Sequence, residues 1–413
     1  MMKGIILEIM RDLLNMPNNI KNVLLLGSSY SALPILEFLK YKGYHVSVCG
    51  GIQDDPCHNY SDKSFFIDYS NKEALEDLCR KEKFDFIIPT CNDYSYNSGS
   101  YVSTKLNKYK GFDNYDTTMI LHTKGLFREF TLANKLPVPK AIKVDSNISY
   151  DIGDMKYPLL IKPDNSFSGK GISKIEKESH LEKAIGVAIE ASTNNEAVVE
   201  EFVEGTLHSH SAFIQDGKIL IDFFVDEYCS VYPYQVDSSS LTTLLDAKMQ
   251  LNIRKSIQKL ITLLELKDGL LHTQVITNSQ EFWLIETMRR CPGDLYGLLI
   301  NKSTGFDYSE FYTNPFLNKK NTKYNQLISK FIARHTISSP TTIVYKSFSE
   351  TIPSVKKSIV TLKESAQILK KAPFDKLGII FAEFSTKEEL MKFTPEMKKF
   401  ITIEESKGLK NEF

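Results

Sequence analysis

From Asn22 the chain runs through an unbroken apolar stretch, NVLLL, then the turn-like GSSYSA, then LPILEFLKYKG with apolar residues three and four apart, then HVSVC in alternation. Those three patterns predict a buried strand, an amphipathic helix and a second strand, which together make a βαβ unit. A further cycle follows, with a helix near Lys72–Lys81 and a buried-type strand in DFIIP, so a parallel α/β sheet is expected to about Asn114. GSSYSA lacks the G-x-G-x-x-G pattern, and Gly27 therefore reads as a tight βα turn rather than a dinucleotide cradle. The stretch DTTMILHTKGLFREFTLANKL reads as helical and is closed by the extended PVPKAI, because prolines cannot continue a helix. Beyond Asp151 short strands joined by turns dominate, with helices near Ser179–Ala191 and Leu251–Leu266, which predicts an α+β body with mainly antiparallel sheets. From about Lys320 strand-like and helix-like pieces alternate again, ending in a polar tail. The expected division is 1–114, 115–205, 206–319 and 320–413, the last a small C-terminal lobe.

Composition narrows the function. The 413 residues suffice for several packed units, and Lys+Arg and Asp+Glu both total 51, giving zero net charge. No basic excess points to nucleic acid or an anionic membrane, and a small-molecule partner fits better. The cysteines at 49, 57, 79, 91, 229 and 291 show no CxxC pairing and read as reduced thiols of a cytoplasmic protein. The opening MMKGIILEIMRDLL reads as a short amphipathic helix docked on the body, and no apolar run is long enough to suggest a membrane span.

Three stretches could carry chemistry. In YPLLIKPDNSFSGKGISKI an apolar strand delivers Lys162, and a loop of small residues holds Ser168, Gly169 and Lys170. Such a loop lets backbone N–H groups and lysines approach a polyphosphate, although a β-hairpin with two solvated lysines would read the same way. AVVEEFVEG presents Glu200 and Glu201 on a strand ended by Gly205; adjacent strand residues face opposite sides, so the two carboxylates cannot share a role. The most telling stretch is GLLHTQVITNSQEFWLIETMRRCPGD. Two apolar strands flank a turn, so Gln274 and Glu286 can lie opposite one another and point the same way, offering two oxygens to a hard cation such as magnesium. Arg290 follows close behind, where negative charge could develop. The alternative is an ordinary hairpin ending in a surface ion pair.

In this order the three stretches resemble the ATP-grasp superfamily, over roughly Asn22 to Leu317. The resemblance implies a pre-ATP-grasp domain over 1–114, a lid and linker region over 115–205 and a catalytic sheet over 206–319, while the alternating pieces of 320–413, beyond its reach, read as a C-terminal lobe that could close over the site. It assigns Lys124 and Lys162 to ATP, residues 166–171 to the flexible loop over the triphosphate, and the main chain at Glu201 and Val203, with Glu200 at its start, to the adenine crevice. It assigns Gln274 and Glu286 to magnesium, with manganese able to take the same seat, and Arg290 and Lys170 to the reacting charge. Met288 stands where the family pattern has a metal-binding asparagine, and Leu207 where an acidic residue often meets the ribose; His208 or His210 could substitute for the latter.

The expected activity is an ATP- and magnesium-dependent ligase that activates a carboxylate as an acyl phosphate for attack by an amine, releasing ADP and phosphate. His272, on the strand face of Gln274, is a candidate proton acceptor, and Asp294, just past the Pro-Gly turn, a candidate substrate contact. The rivals are a degenerate nucleotide-binding module and a carbamoyl-phosphate- or biotin-carboxylase-like enzyme. Asp164–Gly171 is expected to act as a lid, the polar TCNDYSYNSGS as a loop near the acceptor pocket, and the protein as a small-molecule enzyme for which a homodimer would be unsurprising.

Overall fold

The computed structural model describes residues 20–145, 151–165, 169–322 and 328–406. The amphipathic helix expected at the N-terminus, Ser168 and the end of the polar tail lie outside the described residues. The apolar runs of the first region become β1 (Asn22–Leu26), β2 (His45–Cys49), β3 (Lys63–Phe65) and β4 (Phe86–Pro89), a parallel sheet in the order β3-β2-β1-β4. Helices α1 (Leu33–Tyr41) and α2 (Lys72–Lys81) supply the crossovers. Gly27 makes the first βα turn at φ +120°, where a Cβ would meet Thr90 Oγ1 at 2.0 Å.

Two helices differ from expectation. TCNDYSYNSGS is not a loop: α3 spans Asp93–Leu106, with the Asn92 side chain capping it by accepting from the N–H of Ser95. Its buried face consists of Ser95, Tyr96, Ser98, Gly99, Ser100 and Val102, small and polar residues that leave no apolar periodicity to read. The long helix expected after residue 115 is instead two, α4 (Tyr115–His122) and α5 (Lys124–Ala133), separated by Thr123 in an extended conformation.

Strands β5 (Ala141–Asp145), β6 (Leu159–Pro163), β7 (Ser173–Ile175) and β8 (Glu196–Glu201) form an antiparallel sheet, β5-β8-β6-β7, covered by α6 (Leu181–Glu190). The largest sheet begins with β9 (Thr206–Gln215), β10 (Lys218–Tyr228) and β11 (Ser238–Leu241), continues after α7 (Ala247–Leu263) with β12 (Gly269–Thr277) and β13 (Phe282–Met288), and is followed by α8 (Tyr296–Thr304) and α9 (Tyr308–Thr313). The final segment supplies β14 (Phe331–Ile337), β15 (Ile343–Glu350), β16 (Lys356–Thr361), β17 (Ile368–Leu369), β18 (Gly378–Phe384), α10 (Lys387–Phe393) and β19 (Ile401–Glu405). Three of these strands extend the large sheet to β13-β12-β9-β10-β11-β14-β18-β16, and the others form a separate sheet, β17-β15-β19.

Strand alternation splits the large sheet into two faces. On one, Ala212, Ile214, Phe224 and Leu271 pack under Ile253, Ile257, Leu260 and Ile261 of α7. On the other, Phe213, Phe223 and Leu270 pack against α8 and α9, and the same face, further along the strands, is left open toward the first domain. Among the described residues no helix is long and apolar enough to cross a membrane.

Candidate active site

A cavity of about 1510 Å³ lies between the parallel sheet, the β5-β8-β6-β7 sheet and the large sheet. Its lysine-bearing wall is organised by Asp164. The carbonyl of Asp164 accepts from the N–H of Lys124 at 3.2 Å, and its buried carboxylate accepts from the N–H of Gly125 at 2.6 Å, at the open N-terminus of α5. This is why α5 restarts after Thr123: the break brings Lys124 beside the end of β6, where Lys162 emerges. Burial and the neighbouring ammonium of Lys162 push the Lys124 pKa below its ordinary value, against the opposing pull of Glu286.

Glu200 holds Lys162. The register Leu160↔Glu200 puts both side chains on one face of the sheet, and the buried carboxylate pairs with the Lys162 ammonium and with Arg128, whose Nε and Nη2 donate to it at 3.1 and 3.0 Å. Burial raises the Glu200 carboxyl, but the two cations outweigh it and hold it below its ordinary value. Arg128 also donates to the carbonyls of Leu284 and Ile285, tying this wall to β13. Glu201, on the opposite face, accepts from the N–H of Lys156 at 2.9 Å, while its main chain and Val203 edge the cavity. Gly169, at φ +71°, lets its carbonyl accept from the Tyr232 hydroxyl at 3.2 Å, and the Lys170 ammonium lies 5.2 Å over the Phe374 ring.

The opposite wall is the open face of the large sheet. Gln274 and Glu286 are direct partners in the β12–β13 register, as their spacing predicted, and a bulge at this point leaves Ile285 unpaired. Both line the cavity, and so do His272 and Met288, the next pair on that face. The Gln274 amide donates to Glu227 at 3.3 Å, and burial raises the Glu227 carboxyl above its ordinary value. Two strands away, Arg334 is buried, its Nε donating to Ser239 at 3.0 Å and Nη1 to the Asp294 carbonyl at 2.9 Å. His272 exchanges a hydrogen bond with Ser211 at 2.8 Å; burial first, then Arg290 and other nearby positive groups, take its pKa well below the ordinary value. Asp294, in the left-handed region at φ +54°, pairs with Lys376 and accepts from Tyr30 at 2.8 Å and Thr336 at 3.1 Å. Burial raises its carboxyl, but Lys376 and Arg334 prevail and hold it down to about 2.

The two consecutive arginines after β13 part company. Arg289 is enclosed, bonded to Asp113 at 2.6 Å and to the carbonyls of Leu270 and Lys267, and serves packing. Arg290 lines the cavity and meets Asp93, at the start of α3, through Nε at 3.2 Å and Nη2 at 2.9 Å. Asp93 also bonds His122 Nδ1 at 3.1 Å, and His122 Nε2 accepts from the Arg289 N–H at 3.2 Å. Burial raises the Asp93 carboxyl, yet Arg290 and His122 hold it far below its ordinary value.

Two candidates aside, every predicted site residue in the described region borders this one cavity. His208 and His210 do not: they occupy the α7 face, bonded to Asp226 and Thr277 and to Asp222. Neither can stand in for an acidic residue at Leu207, which does line the cavity. Sequence reasoning missed Asp93, Arg128, Glu227 and Arg334, whose partners lie 29 to 197 positions away and leave no local signal. Among the described residues no group of three or more His, Cys, Asp or Glu could hold a metal alone. The donor set at Gln274 and Glu286 suits a hard cation that keeps other oxygen ligands of its own.

Residues 155–296 match the family profile described as the ATP-grasp domain. In structure the chain is similar to an L-amino acid ligase from Bacillus licheniformis, with a TM-score of 0.78 and 16% identity over 95% of this chain and 100% of that one. It is also similar to a phosphoribosylglycinamide synthetase from Anaerococcus prevotii, with a TM-score of 0.72 and 17% identity over 94% and 100%. In sequence it is 27% identical over 236 residues to a formate-dependent phosphoribosylglycinamide formyltransferase of Prochlorococcus marinus (strain NATL2A), 54% of this chain and 60% of the relative. A namesake from Methanocaldococcus jannaschii is 26% identical over 44% of this chain and 47% of its own length. The chain thus spans about half to three fifths of the curated relatives it matches.

Proposed function

We propose that the chain is an ADP-forming carbon–nitrogen ligase that uses magnesium-bound ATP to activate a carboxylate as an acyl phosphate and passes the acyl group to an amine. The observation that carries this reading is the facing of two unlike walls across one cavity: Lys124 and Lys162 on one, the Gln274–Glu286 oxygen pair on the other, with Arg290 beyond Glu286. Neutralising a transferring phosphoryl group needs cations fixed in advance, and Lys162 is so fixed by Glu200. Magnesium, or manganese, would be held by Gln274 and Glu286 and would neutralise phosphate charge there. The apolar end of the cavity, with Leu160, Phe202, Leu207, Ile276 and Ile285, suits a flat adenine ring.

The chain's own groups then divide the remaining work. Asp93 orients the Arg290 guanidinium by a two-point pairing, and Nη1 donates to the Cys291 carbonyl at 3.3 Å, so the cation is fixed beside the site of the reacting carboxyl. Arg334 and Lys376 offer positive charge deeper in the cavity, which suits the acid substrate, while Glu227, Asp294 and neutral His272 suit a group that arrives with protons.

The test is a screen of pooled carboxylic acids and amines for stimulated ADP release with ATP and magnesium, using hydroxylamine to trap an acyl phosphate as a hydroxamate. A particular acid is expected to raise ADP release and yield a hydroxamate, and Lys162→Ala and Glu286→Ala are expected to abolish both. Met288, a poor magnesium ligand, favours the competing reading of a nucleotide-binding module without turnover. Saturable ATP binding with no acid-dependent hydrolysis across the pools would decide for that reading.

A further inference from the structure

The cavity face of α3 carries hydrogen-bonding capacity that the protein does not use. Asp93 and Asn97, and likewise Tyr94 and Ser98, are spaced by four, so they form one stripe along the helix, and all four line the cavity. At the first turn Asp93 is engaged with Arg290 and His122. One turn on, Asn97 Oδ1 and Ser98 Oγ are enclosed yet have no hydrogen-bond partner among the described residues. Ser98 is 1% exposed. A hydroxyl inside a helix ordinarily turns back to a carbonyl of the preceding turn, as Thr118, Thr131 and Thr304 do here toward Asn114, Phe127 and Ile300. Ser98 does not. Enclosing a polar atom without a partner is unfavourable, and two such atoms side by side on a cavity wall call for a ligand that completes them.

The chemistry of that ligand follows from the atoms. An amide oxygen can only accept and a hydroxyl can accept, while the Asp93 carboxylate one turn away is already paired with Arg290 and His122. The open Asn97 oxygen therefore calls for an N–H or O–H donor, which the Ser98 hydroxyl can also receive. Resting on the ligase reading and deepening it, we propose that Asn97 and Ser98 are the specificity residues for the amine substrate, accepting hydrogen bonds from its N–H or neighbouring O–H groups.

The experiment is a competition on the full-length enzyme. Hydroxylamine and a pool of amines (the proteinogenic amino acids, glucosamine, short polyamines and ammonia) compete for the activated acid, and the ratio of hydroxamate to amide is read for the wild type, Ser98→Ala and Asn97→Ala. A ratio is independent of how much protein is correctly folded, so a purely structural role does not move it. Loss of one buried hydrogen bond to the amine should raise the ratio roughly 10- to 100-fold, with the KM values for ATP and the acid held. An unchanged ratio in both variants overturns the subsite while leaving the ligase reading intact. So does a wild type that forms hydroxamate but no amide from any pooled amine. A wild type that forms neither product overturns the ligase reading and the subsite with it.

Discussion

Replacing Glu200 by Gln should destabilise the protein more than any surface charge change of equal size. The carboxylate is buried, 3% exposed, between the Lys162 ammonium and the Arg128 guanidinium, and Gln keeps its shape while removing its charge. Two cations then remain enclosed without an anion, a situation that costs about 3–5 kcal/mol. At roughly 2–4 °C per kcal/mol for a unit of this size, the midpoint of thermal unfolding should fall by about 6–20 °C. Urea titration and calorimetry at neutral pH would measure both quantities. The pH dependence supplies a second reading. A carboxyl held below its ordinary value of 4.5 contributes stability that is fully present above that pH and is lost as pH falls through the lower folded value. The wild type should therefore lose this component on acidification below about 4.5, and Glu200→Gln should lack it. Replacing Glu200, Lys162 and Arg128 together by Leu and Met should recover much of the loss, since no charge is then stranded. A Glu200→Gln cost below about 1 kcal/mol, typical of a solvated surface pair, would refute the reasoning.

Other outcomes follow from the same geometry. Glu286→Gln should lower turnover by about 10²–10³-fold with little loss of stability, checked by ADP release at saturating magnesium and by urea titration. Arg290→Lys should be nearly as damaging as Arg290→Ala, because lysine cannot reproduce the two-point pairing with Asp93, and steady-state kinetics would separate the variants. The thiols of Cys49, Cys57 and Cys79, pushed by burial up to about 12, should stay protonated and react slowly with a disulfide reagent at pH 8 in the native protein, then rapidly in urea. Gly27→Ala should be strongly destabilising by thermal unfolding, since it forces a Cβ onto Thr90 in a backbone conformation that alanine avoids.

The parts of this site that sequence could show are those in which one local period sets the geometry. A twelve-residue separation across a hairpin is enough to face Gln274 with Glu286, although the bulge at Ile285 that accommodates the pairing is invisible in it. Lys162 is legible because an apolar strand ends there. The α3 helix is not, because its buried face is built of serine, glycine and tyrosine rather than aliphatic residues, and tertiary packing overrides the weak local preference. Nothing near Asp93 announces Arg290, and nothing in the run FFVDEY separates the cavity-facing Glu227 from Asp226 behind it. Which of two neighbouring acids turns inward is decided by the register of β10 against β9 and β11, a property of the assembled sheet.

The continuity of the large sheet has a consequence for how this polypeptide tolerates shortening. Because β14 is hydrogen-bonded directly to β11, a product ending before residue 328 would leave the Ser238–Leu241 edge bare, a ready template for sticking to its own copies. It would also lack Arg334, so premature termination would remove part of the pocket and invite precipitation at once.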